Sequence, residues 1–353
     1  MYKLEQIKRT IRWNDWAQAK VPLFVVTMLY LILKQSLFLM HSITQSIVFL
    51  IFIILVSMYG YLINDLFDIE IDRIHGKKNV FEKTGKIWGG LIVFVIFSAG
   101  IIFGSNFLIK DYFPYLLVLI YFFATFYSAP PIRFKERRIA GLFIAFLTQY
   151  PIPIMMIFSA FDSFGTIDMW GFVIFATVGG AALEIGHQRF DLERDKSTDT
   201  KTFGVRQGHR SMDRIYKMFV YFDMISMVGI IVIMTLELRL ASIYGQNYVM
   251  LPPLLIYLFL ALMVIKKMIN EKTPLVDPYY VEGRNDIYNI TYTLFPNVFL
   301  PFYLSCAVFV NYPVFIVFIV IFLLFTFVTF PKANFTWPFI VVYDELKKTI
   351  RVG

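Results

Sequence analysis

Residues 43–72 read ITQSIVFLIFIILVSMYGYLINDLFDIEID. The first 21 of these, through Ile63, carry no charge. A hydrocarbon core about 30 Å thick takes roughly 20 apolar residues as a helix, so 43–63 predicts a membrane span. Asp65, Asp68, Glu70 and Asp72 follow at once. If the helix continues past the lipid, Asn64, Asp68 and Asp72 stand at i, i+4 and i+8 and share one face.

Similar runs recur outward from this one, near 21–40, 87–108, 113–129, 139–160, 168–186, 216–236, 247–265, 289–310 and 313–330. The last two are parted only by Asn311-Tyr312-Pro313, so they read as two spans or one broken one. The expectation is an all-α polytopic membrane bundle of nine to ten helices. Composition agrees: of 353 residues 58% are apolar, 18% aromatic and 16% charged, with a mean hydropathy of +0.66. Soluble domains hold about 25% charged residues. A lone Cys306 excludes an intramolecular disulfide framework and a cysteine-cluster metal site.

The net charge is +8. With the N-terminus inside and the spans alternating, 30 of the 33 Lys and Arg fall on the cytoplasmic side, all but Lys34, Lys110 and Arg239. That asymmetry predicts both termini and both acidic clusters on the cytoplasmic face. Residues 1–20 have no apolar core and do not read as a signal peptide. Their Lys, Arg, Trp13 and Trp16 predict an interfacial amphipathic arm ahead of a single membrane domain over 21–353. Nucleic acid is not an expected partner; membrane lipid is.

A second acidic set ends the sixth run. Asp191, Asp195 and Asp199 repeat the i, i+4, i+8 spacing, with Glu184 and Gln188 upstream on the same face. Like charges so spaced repel by a few tenths of a kcal/mol. Solvated helix ends are one reading. Two matched sets favour the other, in which oxygen-only donors hold hard divalent cations, Mg2+ above all, while phosphate completes the coordination. Asp68 and Asp195 are 127 residues apart, as are Asn64 and Asp191. This spacing suggests two pseudo-repeated four-helix groups around a central cavity. Between the sets, Tyr127-Ser128-Ala129-Pro130-Pro131-Ile132-Arg133-Phe134-Lys135 ends a helix at two prolines and offers two cations in a stiff loop.

Together these segments resemble the UbiA superfamily of intramembrane prenyltransferases over about residues 20–215. Asn64-Asp65-x-x-Asp68-x-x-x-Asp72 matches the family's NDxxDxxxD motif. Asp191-x-x-x-Asp195 with Lys201-Thr202 is similar to its second motif, and Tyr127 to Pro131 to its YSAPP loop. The resemblance implies Mg2+ held against the diphosphate of an isoprenoid donor, a prenyl tail in an aromatic-lined tunnel, and alkylation of a hydrophobic acceptor such as a quinone precursor, tetrapyrrole or lipid. On this basis Asn64, Asp68 and Asp72 are expected to hold one metal, and Asp191 and Asp195 another. Arg133, Lys135, Lys77 and Lys201 are expected to neutralise the diphosphate. Tyr127, Ser128 and Gln188 are expected at the substrate, with Glu184 or a spare carboxylate taking the acceptor proton. The stretch after Asp72 departs from the family: it lacks the usual Arg-Pro and carries Lys77-Lys78-Asn79.

Within this fold two alternatives stand beside prenyl transfer: phosphoribosyl transfer to a prenyl phosphate, and cyclisation of the prenyl chain. A secondary transporter is the rival from another class. It predicts ionisable residues near mid-membrane, whereas here the acids gather at span ends. His187 is placed to orient an acceptor or to be a buried, hydrogen-bonded side chain; His41, His75 and His209 read as solvated.

Overall fold

In a computed structural model, residues 2–74, 76, 78–137, 139–197, 202–241, 248–270, 286–329 and 337–352 are described. Every regular element among them is helical. Lipid offers no partner for backbone N–H and C=O groups, so a chain this apolar satisfies them within each helix. In order the helices are α1 (Tyr2–Thr10), α2 (Trp13–Lys34), α3 (Met40–Ile74), α4 (Gly85–Gly104), α5 (Phe113–Ser128), α6 (Ile139–Gln149), α7 (Pro151–Ala160), α8 (Ile167–Phe190), α9 (Leu192–Ser197), α10 (Phe203–Gln207), α11 (His209–Ala241) and α12 (Leu251–Asn270). Then α13 (Ile287–Asn289) runs through a π-helical stretch, Ile290–Phe299, into α14 (Leu300–Asn311), followed by α15 (Ile316–Thr329) and α16 (Trp337–Val352).

Among the described residues, eight segments are long and apolar enough to cross a membrane; Phe113–Ser128 and Pro313–Thr329 are apolar but shorter. Each of the ten runs in the sequence lies on one of these. The run at 139–160 is one span interrupted at Tyr150, because Pro151 and Pro153 withdraw backbone donors. Pro296 does the same inside the π-helical stretch.

The bundle is arranged around α2. Its most apolar window is 83% buried, and it touches α3, α7, α11, α14 and α15. The outer helices α4 and α12 turn Ile87, Phe94, Ile102, Leu255 and Leu262 outward. In lipid such contacts are decided by close packing rather than by exclusion of water. Aromatic side chains supply much of it: Phe49, Phe52, Phe107 and Phe113 meet edge-on or tilted, with centroids 5.2–6.4 Å apart.

The expected 1–20 arm is divided. Only α1 is separate. Residues 13–20 are the first two turns of α2, and Trp16 is 2% exposed rather than interfacial. Trp13 lies edge-on to Trp16, against Phe325, and donates to Thr329 Oγ1 at 3.2 Å. Lys8 donates to the Val328 carbonyl at 3.1 Å. The far end of α15 thus draws these aromatic and basic groups inward.

Candidate functional site

Nothing in α3 interrupts the helix between its apolar part and Ile74, so Asn64, Asp68 and Asp72 do stack on one face. Each has a partner from elsewhere. Asn64 Oδ1 accepts from Ser128 Oγ at 2.5 Å and from Lys135 Nζ at 3.4 Å. Asp68 takes Arg133 Nη2 at 3.2 Å on one oxygen and Lys135 on the other. Asp72 Oδ2 accepts from Asn79 Nδ2 at 2.8 Å, and the same amide donates to the Asp65 carbonyl at 2.8 Å. Burial pushes the Lys135 amine below its ordinary value, with Asp68 opposing that shift.

The loop that delivers these cations begins where Pro130 and Pro131 stop α5. Arg133 follows in the left-handed region, φ 46°. Its guanidinium donates back to the Ser128 carbonyl at 3.3 Å and also pairs with Glu136. Asp65, off the motif face and 3% exposed, pairs with Arg12 Nη1 at 2.8 Å. Burial works against the Arg12 charge, but Asp65 and Asp15 more than restore it, leaving the guanidinium above its ordinary value.

The second cluster differs from the expected single helix. α8 ends at Phe190, Asp191 caps it, and α9 begins at Leu192. Two backbone bonds carry the i, i+4 relation across the join: Asp191 N to His187 O at 3.0 Å and Asp195 N to Asp191 O at 2.9 Å. Asp195 accepts from Thr202 Oγ1 at 3.2 Å. Gln188 ties the turn together, donating to Glu184 Oε1 at 3.2 Å and accepting from Gly204 N at 3.1 Å. His187 Nε2 lies 3.6 Å from Asp191 Oδ2 on a mostly exposed ring. Lys77, Asp199 and Lys201 lie outside the described residues.

One cavity of about 1250 Å³ joins the two clusters. Asn64, Asp68, Asp72, Glu184, Gln188, Asp191, Asp195, Tyr127, Arg133 and Lys135 all line it. Ser128 stands behind Asn64 instead, fully buried. Away from the acids the wall turns apolar, through Val26, Ile53, Val56, Phe123, Phe172, Phe175 and Met234. Sequence reasoning missed a third group on this wall: Arg12 just ahead of α2, Asp15 and Lys20 in its first turns, with Tyr61, Gln149 and Tyr150. In the sequence these charges carry no signal beyond membrane orientation.

The donors of both acid clusters are oxygens. Among the described residues no three His, Cys, Asp or Glu side chains close on one point as a metal cage would. The oxygen donor set suits Mg2+, which takes one or two carboxylates and leaves the rest of its octahedron to water and phosphate.

Comparisons with known proteins bear on the family and the fold. The model of the UbiA prenyltransferase family matches residues 23–275, beyond the 20–215 covered by the motifs. A UbiA homologue from Archaeoglobus fulgidus, solved bound to DMAPP and Mg2+, has a similar fold. Its TM-score is 0.57 and its identity 16%, over 85% of this chain and 98% of that one. The same homologue bound to GPP and Mg2+ gives a TM-score of 0.52 at 16% identity over the same shares. No curated protein sequence matches the chain closely enough to count as a relative. With its family model covering well over half the chain and its helices laid out as in these structures, the chain belongs to the UbiA prenyltransferase family.

Proposed function

We propose that the chain moves an isoprenoid group from an allylic diphosphate to an aromatic or lipid-like acceptor within the membrane, with Mg2+, releasing diphosphate. One observation carries the reading: two acidic clusters and a basic loop meet in a single cavity whose far wall is apolar. The polar pole suits a diphosphate and the apolar wall a prenyl tail.

Asn64, Asp68 and Asp72 would hold one metal ion, Asp191 and Asp195 another. Bound there, Mg2+ supplies Lewis-acid neutralisation of the leaving group. Arg133 and Lys135 add fixed positive charge beside Asp68, and Lys77 and Lys201 remain proposed helpers. The C–O bond to diphosphate breaks with its electron pair on oxygen. The allylic cation left behind is sheltered from water by the apolar wall, on which aromatic faces such as Phe123 and Phe172 tolerate its charge. The acceptor attacks that carbon and gives up a proton, which Glu184 on the cavity wall would take. Tyr127 and Gln188 shape the polar pole, and Ser128 acts through Asn64. We place the site and both termini on the cytoplasmic face, and residues 21–353 in one catalytic membrane domain.

The test is purified protein with labelled allylic diphosphates of several lengths and a panel of aromatic and lipid acceptors. Release of diphosphate is expected to stop with EDTA and in Asp68→Asn and Asp195→Asn. Release that persists in any of these would sink the mechanism.

A further inference from the structure

The outer face of α11 changes character at one point. Exposed positions recur along it at helical spacing: Arg210, Arg214 and Lys217, then Met218, Phe222, Ile225 and Leu236. The members up to Lys217 are basic, and those from Met218 on are apolar. Met218 to Leu236 is about 27 Å of helix, close to the thickness of a hydrocarbon core. Lys217 therefore marks the level at which lipid tails give way to headgroups. Arg214 and Arg210 stand about one and two turns beyond it. Arg206, exposed on α10, adds a fourth cation to this end. It lies on the same side as Asp191 and Asp195, from which α9 and α10 lead into α11.

The charges here are not balanced within the protein. From Arg206 to Met218 the chain holds four Lys or Arg and one acid, Asp213. That acid is taken: it accepts from Arg189 Nε, a fifth cation, at 2.5 Å. Glu193, the other acid that reaches this end, is held by Lys196 at 3.3 Å and by His209. Among the described residues Arg206, Arg210, Arg214 and Lys217 enter no ion pair and no side-chain hydrogen bond. By contrast Arg12, Arg133 and Lys135 each have a carboxylate of their own. Membrane orientation asks only that basic residues lie on one side. It does not ask them to stand unpaired in register with a lipid-facing stripe. Helix formation does not ask for them either, since Arg210 is in the first turn of α11, where the helix dipole favours an acid.

Guanidinium groups meet phosphate oxygens with paired N–H donors. A phospholipid of net negative charge fits both parts of the stripe at once, its headgroup on the cations and a tail on the apolar positions. We propose that α10 and the first turns of α11 form a docking surface for an anionic phospholipid. Its phosphate is bound by Arg210 and Arg214, with Arg206 and Lys217 beside them, and an acyl chain lies along Met218, Phe222 and Ile225. The inference goes beyond the prenyl-transfer reading and does not depend on it, because none of these residues borders the cavity.

The experiment titrates the full-length protein in detergent with dioleoyl phosphatidylglycerol or dioleoyl phosphatidylcholine and counts the retained lipid by native mass spectrometry. Both lipids carry the same chains and a phosphate; only the first is net negative. The wild type is expected to hold phosphatidylglycerol about thirtyfold more tightly, the scale of two basic residues at an anionic surface. Arg210→Gln with Arg214→Gln is expected to erase that preference and leave phosphatidylcholine unchanged. Lys83→Gln with Lys86→Gln removes two exposed charges beside α4 and is expected to leave the preference intact. Thermal denaturation reports whether each variant is folded. If the Arg210 and Arg214 pair is not, Arg214→Gln alone serves, with the preference falling about fivefold. Millimolar inorganic phosphate is expected not to displace the lipid. Equal retention of both lipids by the wild type overturns the proposal, as does an unchanged preference in the arginine variant. An equal loss in the Lys83 and Lys86 variant overturns it too, since surface charge in general would then suffice. Displacement by inorganic phosphate would make the patch a site for free phosphate instead, and so also overturns it.

Discussion

Two ion clusters sit at opposite ends of α2's neighbourhood and behave differently. At the motif end Asp68 lies between Arg133 and Lys135, all three on the cavity wall. At the other end Lys34 lies between Asp168 and Glu237, each at 2.8 Å, and Tyr30 donates to the same Asp168 oxygen at 2.8 Å. Asp168 is fully buried, and none of these four residues borders the cavity. The same chemistry thus serves two purposes. The far cluster joins α2, α8 and α11 and is closed; the near one gathers charge on a surface that a ligand can reach. Lys34, left over when the basic residues are assigned to one face, is accounted for by this lock.

The contrast can be broken from either side. Asp68→Ala removes a carboxylate proposed to hold metal, and turnover is expected to fall by about three orders of magnitude, the scale of several kcal/mol of transition-state charge stabilisation. Thermal stability is expected to stay close to wild type, and a collapse of stability instead would make Asp68 structural. Asp168→Ala reverses the pattern. It strands Lys34 with one partner and is expected to cost about 3 kcal/mol of stability, the lower end for a broken buried pair. Thermal inactivation would report the loss, with the donor KM of the folded fraction unchanged. Asn79→Ala tests the near cluster more gently, because Asn79 touches Asp72 rather than the cavity. The Mg2+ concentration for half-maximal rate is expected to rise about tenfold, as when an outer partner of a metal ligand is lost. An unshifted Mg2+ titration would deny it that role. The smallest effect belongs to Lys110→Ala. Its pair with Asp162, at 2.5 Å, is at the surface on the acid's side, so less than about 1 kcal/mol is expected in thermal denaturation. A larger loss would mean that the lock extends beyond Asp168.

The sequence made the spans and the motif face legible because both depend on local pattern: run length fixes a span, and i, i+4 spacing fixes a face. What escaped it depends on which way a helix is turned. α2 is apolar nearly all round, so periodicity does not tell its lipid side from its core side. Lys20 therefore looked like one more charge of an arm, and Trp16 like an anchor. The break at Tyr150 was written in Pro151 and Pro153, yet its effect, placing Tyr150 and Gln149 beside Lys20, needs the packed bundle. The join at Asp191 was hidden for another reason: a helix that stops and restarts keeps the same four-residue rhythm. Glycine positions show the same limit. Gly180 reads as a weak helix former, but a Cβ there would lie 2.6 Å from the Tyr150 ring, so it sets how closely α8 approaches that wall.

The burial of α2 also bears on how the protein is made. Chains are built from the N-terminus and fold progressively in that order, so α2 is in place long before α14 and α15, which wrap it. Lys34 waits for Asp168 from α8 and then for Glu237 from α11. Until they arrive, the helix that ends as the axle of the bundle has only its earlier neighbours, such as α3 and α7, to pack on, and Lys34 is without its carboxylates. Assembly in the membrane is therefore a closing of late helices around an early one, and a ribosome stalled before α14 would leave one side of that axle uncovered.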